Sequence, residues 1–214
     1  DMSKRVVAIG VFDGVHRGHQ EILNRAKEIA DGGSVIALTF DPHPATVFAP
    51  ERAPKLLVTL SDRVVLLKIH NADQVSVIKF DAKFAQMSPQ DFVENVLVIQ
   101  LQASDIVVGE NFTYGHKAEG NIDSLRESGK SKNFDVHVLS ISTDENQNIS
   151  SSRIRTLVKD GHVESARNLL TRPHRLDGIV VMVKRVDARL DIQQQIWETS
   201  MVNAFLSMAF TQDG

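Results

Sequence analysis

Cysteine is absent from the 214-residue chain, which excludes a disulfide framework and any thiolate chemistry. A surplus of one charge is also lacking. Lys and Arg number 24 against 27 Asp and Glu, for a formal net charge of −3, so a general nucleic-acid binder is not expected. No apolar run is long enough to span a bilayer, so no membrane partner is expected either. No secretory signal precedes Met2, which makes the cytoplasm the expected compartment, and Asp1 reads as an added residue outside the fold. Repeats and low-complexity tracts are missing. What is present is a chain with 42% hydrophobic residues. Its length fits one ordinary domain, with room for a fragment of a second.

Apolar, β-branched runs alternate with helical patterns. Strands are expected at Val6–Phe12, Val35–Phe40, Val75–Phe80, Asp105–Val108 and Val136–Ile141. The first helix is expected at His19–Ala30, with Ile22, Leu23, Ala26 and Ile29 on one side and Gly32–Gly33 ending it. A second is expected at Ser61–Asn71 with Ser61 as its cap. Ser88-Pro89-Gln90-Asp91 opens a third, which runs through Phe92, Val96 and Leu97. Ser152–Lys159 and Glu164–Leu170 read as short helices. Fully apolar strands between helices predict an α/β fold, Rossmann-like, with a mainly parallel sheet covered by helices on both faces. The stretch Asp41–Pro54 is too polar and broken for an element, and loops of that length are often functional.

In such sheets ligands bind beyond the carboxyl ends of the strands. Three motifs fall there: "GVFDGVHRGH" (Gly10–His19), "FDPHP" (Phe40–Pro44) and "GENFTYG" (Gly109–Gly115). A fourth, "ISSSRIR" (Ile149–Arg155), precedes a helix, and all four would converge on one rim. Gly18 and His19 open a helix, where free N–H groups and the dipole favour an anion. His16 and His19 can both donate to phosphate oxygens, while Gly10 and Gly14 allow close backbone approach. On spacing alone, a pair of surface histidines on a turn fits equally well. A protein-held metal is disfavoured, because the ligand spacing is wrong and cysteine is absent. In "ISSSRIR" three hydroxyls and two guanidiniums suit a polyphosphate, although a capped helix with a basic solvated face is the simpler reading. His70, His116, His137, His162 and His174 read as structural or surface positions.

Together these motifs resemble the FMN adenylyltransferase (FAD synthetase) module of bacterial bifunctional riboflavin kinase/FMN adenylyltransferases, within the HIGH-type nucleotidyltransferase superfamily. The resemblance covers roughly Val6 to Val181, in family order and near family spacing. It implies a domain over residues 2–172 and transfer of AMP from ATP to FMN, giving FAD and pyrophosphate. It further implies that His16 and His19, with Arg153 and Arg155, are catalytic. Gly10, Val11, Phe12, Asp13, Gly18, Ser150, Ser151 and Ser152 would meet ATP, and Val136 to Ser140 would border adenine. Asp41, His43, Asn111 and Phe112 would meet FMN. Mg²⁺ would travel with ATP, with Asp13 as an outer-shell partner and no metal ligands on the protein. The rivals are a nucleotidyltransferase for another phosphate acceptor and a non-catalytic flavin or nucleotide binder.

Residues 173–181, within "RPHRLDGIVV", resemble the start of a riboflavin kinase domain, and the match then stops. With suitable codons, a shifted frame of "LDIQQQIW" (Leu190–Trp197) reads Leu-Gly-Tyr-Pro-Thr-Ala-Asn-Leu, similar to the kinase motif. The same frame of "MAFTQ" (Met208–Gln212) can read Gly-Ile-Tyr-Ala. The expectation is a frameshifted tail over 182–214, helical around 192–210 and a candidate for self-association, on a chain that does not phosphorylate riboflavin.

Overall fold

The computed structural model describes residues 3–140, 143–144 and 147–176. The chain forms two compact units, one ending at Ile149 and one beginning at Ser150. The expected tail helix and the kinase remnant from residue 177 lie outside the described residues.

The first unit is built on five parallel strands: β1 (Arg5–Ile9), β2 (Ser34–Asp41), β3 (Gln74–Lys79), β4 (Asp105–Gly109) and β5 (Asp135–Leu139). Their order is β3-β2-β1-β4-β5, with Val6 opposite both Val35 and Asp105. The helices are α1 (Arg17–Ala30), α2 (Pro44–Phe48), α3 (Leu60–Ile69), α4 (Pro89–Asp91) and α5 (Ile122–Lys132). Helix α4 continues as a π-helix over Phe92–Gln100. A short antiparallel pair, β6 (Thr143–Asp144) and β7 (Gln147–Asn148), closes the unit.

Strand alternation divides the core into two layers. Val7, Ile9, Ile36, Leu38, Ile106 and Val108 point to the layer containing Val93, Val96, Leu97 and Leu125. Val6, Ala8, Val35, Ala37 and Val107 point to the layer holding Leu23, Ala26 and Ile29 of α1 and Leu67 of α3. Both faces of the sheet are therefore covered, as the apolar strands predict.

Several expected boundaries move. The first strand ends at Ile9 rather than Phe12, because Phe12 adopts a left-handed φ of 54° that no strand continues through. Helix α1 begins at Arg17, with His16 as its cap residue. Thr59, not Ser61, caps α3, its hydroxyl accepting the Asp62 N–H at 3.1 Å. Ser88 does cap α4, through the Asp91 N–H at 3.0 Å. The Asp41–Pro54 stretch is not wholly without elements, since it holds α2 and a 3₁₀ turn at Pro50–Arg52. Helix α5 escapes the apolar pattern because only Leu125 and Gly129 are buried along it; an Asn121–Ser124 capping box starts it.

In the second unit α6 (Ser151–Lys159) and α7 (Val163–Leu170) pack together. Ile154, Val158, Ala166, Leu169 and Leu170 are buried.

Candidate active site

The chain moves outward from β1 through β2 to β3, then returns to the other side of β1 with β4. The reversal opens a crevice at the carboxyl ends of β1 and β4, the place where open α/β sheets bind ligands. Three of the four motifs lie on this rim: residues 10–16 after β1, 42–43 after β2, and 110–115 after β4.

The first loop is tightly built. Gly10 N–H makes the last bond to β2, on the Leu38 carbonyl at 3.1 Å. Phe12 (φ 54°), Gly14 (φ 81°) and Val15 (φ 41°) are all left-handed. For β-branched Val15 this is a genuine outlier, and such strain gathers at functional sites. The loop is held from outside by residues with no motif of their own. Thr39 Oγ1 and Arg63 Nη1 both donate to the Val11 carbonyl at 2.9 Å. The buried Asp13 carboxylate accepts the Leu57 N–H at 2.9 and 3.2 Å. Gln20 Nε2 donates to the Val15 carbonyl at 2.9 Å.

His16 is the N-cap of α1, Gly18 its second residue and His19 its third. The imidazole of His16 does not cap the helix, and the first turn carries no acid. The amides ahead of Gln20 have no intrahelical acceptor, so the helix presents N–H groups and the positive end of its dipole. The His16 and His19 rings are stacked, with centroids 3.6 Å apart and 17° between planes, and Phe12 meets His19 edge-on at 5.2 Å. His19 Nδ1 is buried without a hydrogen-bond partner among the described residues. Burial, and secondarily the neighbouring His16, holds the His19 pKa well below its ordinary 6.5. The His19 ring is thus neutral at physiological pH and set against a second imidazole. Arg17 ion-pairs with Asp144 of β6 at 2.9 Å.

On the second loop, His43 caps α2, with Nδ1 accepting the Ala45 N–H at 3.1 Å. A neutral ring in that geometry carries its proton on Nε2. Asp41 ends β2 and pairs with Arg63 Nη2 at 3.4 Å.

On the third loop, Asn111 is exposed and Phe112 half-buried. The Phe112 ring stacks on Tyr114 at 5.7 Å and 13°, and the Tyr114 hydroxyl lies 3.2 Å from that of Ser124. A Cβ added at Gly120 would fall 2.7 Å from the Tyr114 ring, so that position has no room for a side chain. Edge-to-face and tilted contacts run from Tyr114 through Phe92, Phe84 and Phe80 to Phe48 of α2. One aromatic chain therefore links the second and third loops, and it ends at Phe48, which is 58% exposed.

The fourth motif opens α6 of the second unit. Ser150 is its N-cap, accepting the Arg153 N–H at 3.2 Å, and Ser151, Ser152, Arg153 and Arg155 occupy the first turns with no acid in the first. Two of the histidines outside the motifs have structural partners: His137 Nε2 bonds Asp105 Oδ1 at 2.9 Å, and His116 Nδ1 lies 3.2 Å from the Ala85 carbonyl. Among the described residues no group of three or more His, Cys, Asp or Glu could hold a metal, and none of the helices could cross a membrane.

Arg63 and Leu57 are the residues that sequence reasoning missed, and Thr39 and Gln20, at the edges of the second and first motifs, had no role assigned. Arg63 left one trace, since it stands four residues before buried Leu67 on α3 and so shares a face with it.

A parallel sheet with an open helix N-terminus at its switch point defines the class of this protein: a nucleotide-binding-type α/β fold. Known proteins narrow it. The FAD synthetase family profile matches residues 1–153. The bifunctional riboflavin kinase/FMN adenylyltransferase of Bacillus subtilis is 37% identical over 186 residues, covering 85% of this chain and 58% of that protein. Its Escherichia coli K12 counterpart is 32% identical over 178 residues, covering 82% and 57%. A Streptococcus pneumoniae structure titled a macrolide-efflux protein superposes with a TM-score of 0.71 at 27% identity, covering 81% of this chain and 57% of that one. A Francisella tularensis pantoate-β-alanine ligase shares the fold, with a TM-score of 0.53 at 15% identity over 77% and 69%. The chain belongs to the FAD synthetase family. It spans about three fifths of the length of these bifunctional relatives.

Proposed function

We propose that this chain is an FMN adenylyltransferase, transferring AMP from ATP to the FMN phosphate. The observation that carries this reading is the stacked His16–His19 pair at the uncapped start of α1, with the Phe112–Tyr114 platform on the next rim loop. An FMN phosphate oxygen attacks the α-phosphorus of ATP. The new P–O bond forms as the bond to the β-phosphate bridging oxygen breaks, and pyrophosphate leaves. The attacking oxygen is already anionic, so no general base is required. Catalysis reduces to alignment and charge stabilisation.

In this reading the α1 amides, Gly18 and the Gly10–Asp13 backbone receive ATP, while His16 and His19 donate to the phosphate oxygens as charge builds. Asp41, His43, Asn111 and Phe112 take FMN. Ser150, Ser151, Ser152, Arg153 and Arg155 of the second unit are further phosphate-binding residues, supported by their capped, acid-free helix start. Mg²⁺ enters with ATP as part of the substrate. The Asp13 carboxylate, which accepts the Leu57 N–H, is its outer-shell partner. Incubation with FMN and MgATP should yield FAD and pyrophosphate, seen by chromatography. Absence of FAD refutes the transfer.

A further inference from the structure

Arg63 sits in the first turn of α3 with its side chain 1% exposed. Among the described residues no other Lys or Arg is buried. Its guanidinium forks between two rim segments. Nη1 donates to the Val11 carbonyl at 2.9 Å, and Nη2 meets Asp41 Oδ1 at 3.4 Å. Nε is buried without a partner among the described residues. Burial pulls the guanidinium pKa below its ordinary value, with the carboxylates of Asp41 and Asp13 opposing that shift.

Stability alone does not account for such a group. Replacing a buried ion pair by apolar side chains is often neutral or stabilising. What an apolar side chain cannot do is hold two atoms of different loops at a fixed separation, and a planar guanidinium does. The position is telling as well. The β1–β2 ladder ends at Gly10 N–H on Leu38, and Val11 and Asp41 lie just beyond it, where the nucleotide and acceptor loops leave the sheet. Thr39 also grips the Val11 carbonyl, but it reaches no acceptor-side group in the described hydrogen bonds. A trans peptide held by its carbonyl has its N–H directed the opposite way, so the fork fixes the orientation of the Phe12 amide as well.

We propose that Arg63 is a positioning residue for adenylyl transfer, holding the nucleotide-side Val11 carbonyl and the acceptor-side Asp41 carboxylate in one register. The proposal rests on the FMN adenylyltransferase reading above. Its consequence is specific: each substrate still finds its own loop, but the attacking oxygen and the α-phosphorus are no longer aligned. Small misplacements of reacting groups lower the rate far more than they weaken binding.

The test uses the full chain with Arg63→Met, which keeps the bulk, and Arg63→Lys, which keeps the charge but cannot fork. Wild-type FAD synthesis is established first, and its absence would count against the activity rather than against the fork. Both variants should bind FMN and ATP separately with Kd within about threefold of wild type, while kcat falls roughly ten- to a hundredfold. Hydrogen exchange of the Gly10–Asp13 amides reads the pinning without turnover and should quicken in both unliganded variants. Three results would overturn the proposal. One is a kcat near wild type in a folded variant. Another is loss confined to the affinity for one substrate, with normal kcat at saturation. The third is unchanged exchange at Gly10–Asp13. Failure of both variants to fold would also overturn it, since Arg63 would then be a structural residue.

Discussion

Replacing His19 should make the protein less sensitive to acid. An unfolded imidazole titrates near 6.5, whereas burial and the stacked His16 keep folded His19 well below that. The folded state therefore resists a proton that the unfolded state accepts. The stability held by this group is complete above pH 6.5 and is lost as pH falls from there toward the folded pKa. Between about pH 7.5 and about pH 5.5 the unfolded ring goes from about one tenth to about nine tenths protonated. If folded His19 stays neutral, the linked loss is about 1.4 kcal/mol. His19→Gln removes the titration, and the loss of ring stacking adds an offset that does not depend on pH. The other histidines are common to both proteins and largely cancel. Urea unfolding at the two pH values should show wild type losing up to about 1.4 kcal/mol more than the variant, a relative midpoint shift of at most roughly 0.5–1.4 M. Equal acid sensitivity in the two proteins would refute the lowered pKa of buried His19.

His19→Ala should keep the fold and lower the FAD formation rate by about a hundredfold or more, since one oriented donor to developing phosphate charge is worth ~3 kcal/mol; steady-state kinetics on folded variant checks this. Asn111→Ala should weaken FMN binding more than ATP binding, because Asn111 is exposed on the loop after β4 and the histidine pair lies on the loop after β1; separate titrations decide it, and an equal or larger loss for ATP means the cleft is assigned backwards. Gly120→Ala should drive a methyl into the Tyr114 ring, lower stability by about 1–3 kcal/mol and displace Phe112. Its melting temperature and FMN affinity should fall together, while ATP affinity holds.

Much of the architecture was legible before any coordinates. Parallel strands buried on both faces need continuous apolar runs, so β1, β2 and β4 announce themselves, and Ser88-Pro89 marks a helix start by local bonding alone. The histidine spacing at the start of α1 is also local, which is why His16 and His19 could be picked out together. Patterns fail where burial is slight or the local signals compete. Helix α5 buries too little to show a stripe, and near α3 two hydroxyls stand two apart, of which Thr59 is the one that caps.

The sequence by itself determined the fold class and the chemistry of the rim: imidazoles at a helix start, an aromatic loop, and glycines where the backbone must turn or leave space. Only the tertiary structure decided what holds that rim in shape. Val11 is gripped by Thr39 from 28 residues away and by Arg63 from 52, and Asp13 is engaged by Leu57 from 44. No periodicity or motif spans such separations. They close because parallel strand pairing sets β1 beside β2 and α3 returns across the sheet, bringing one buried guanidinium behind both loops at once.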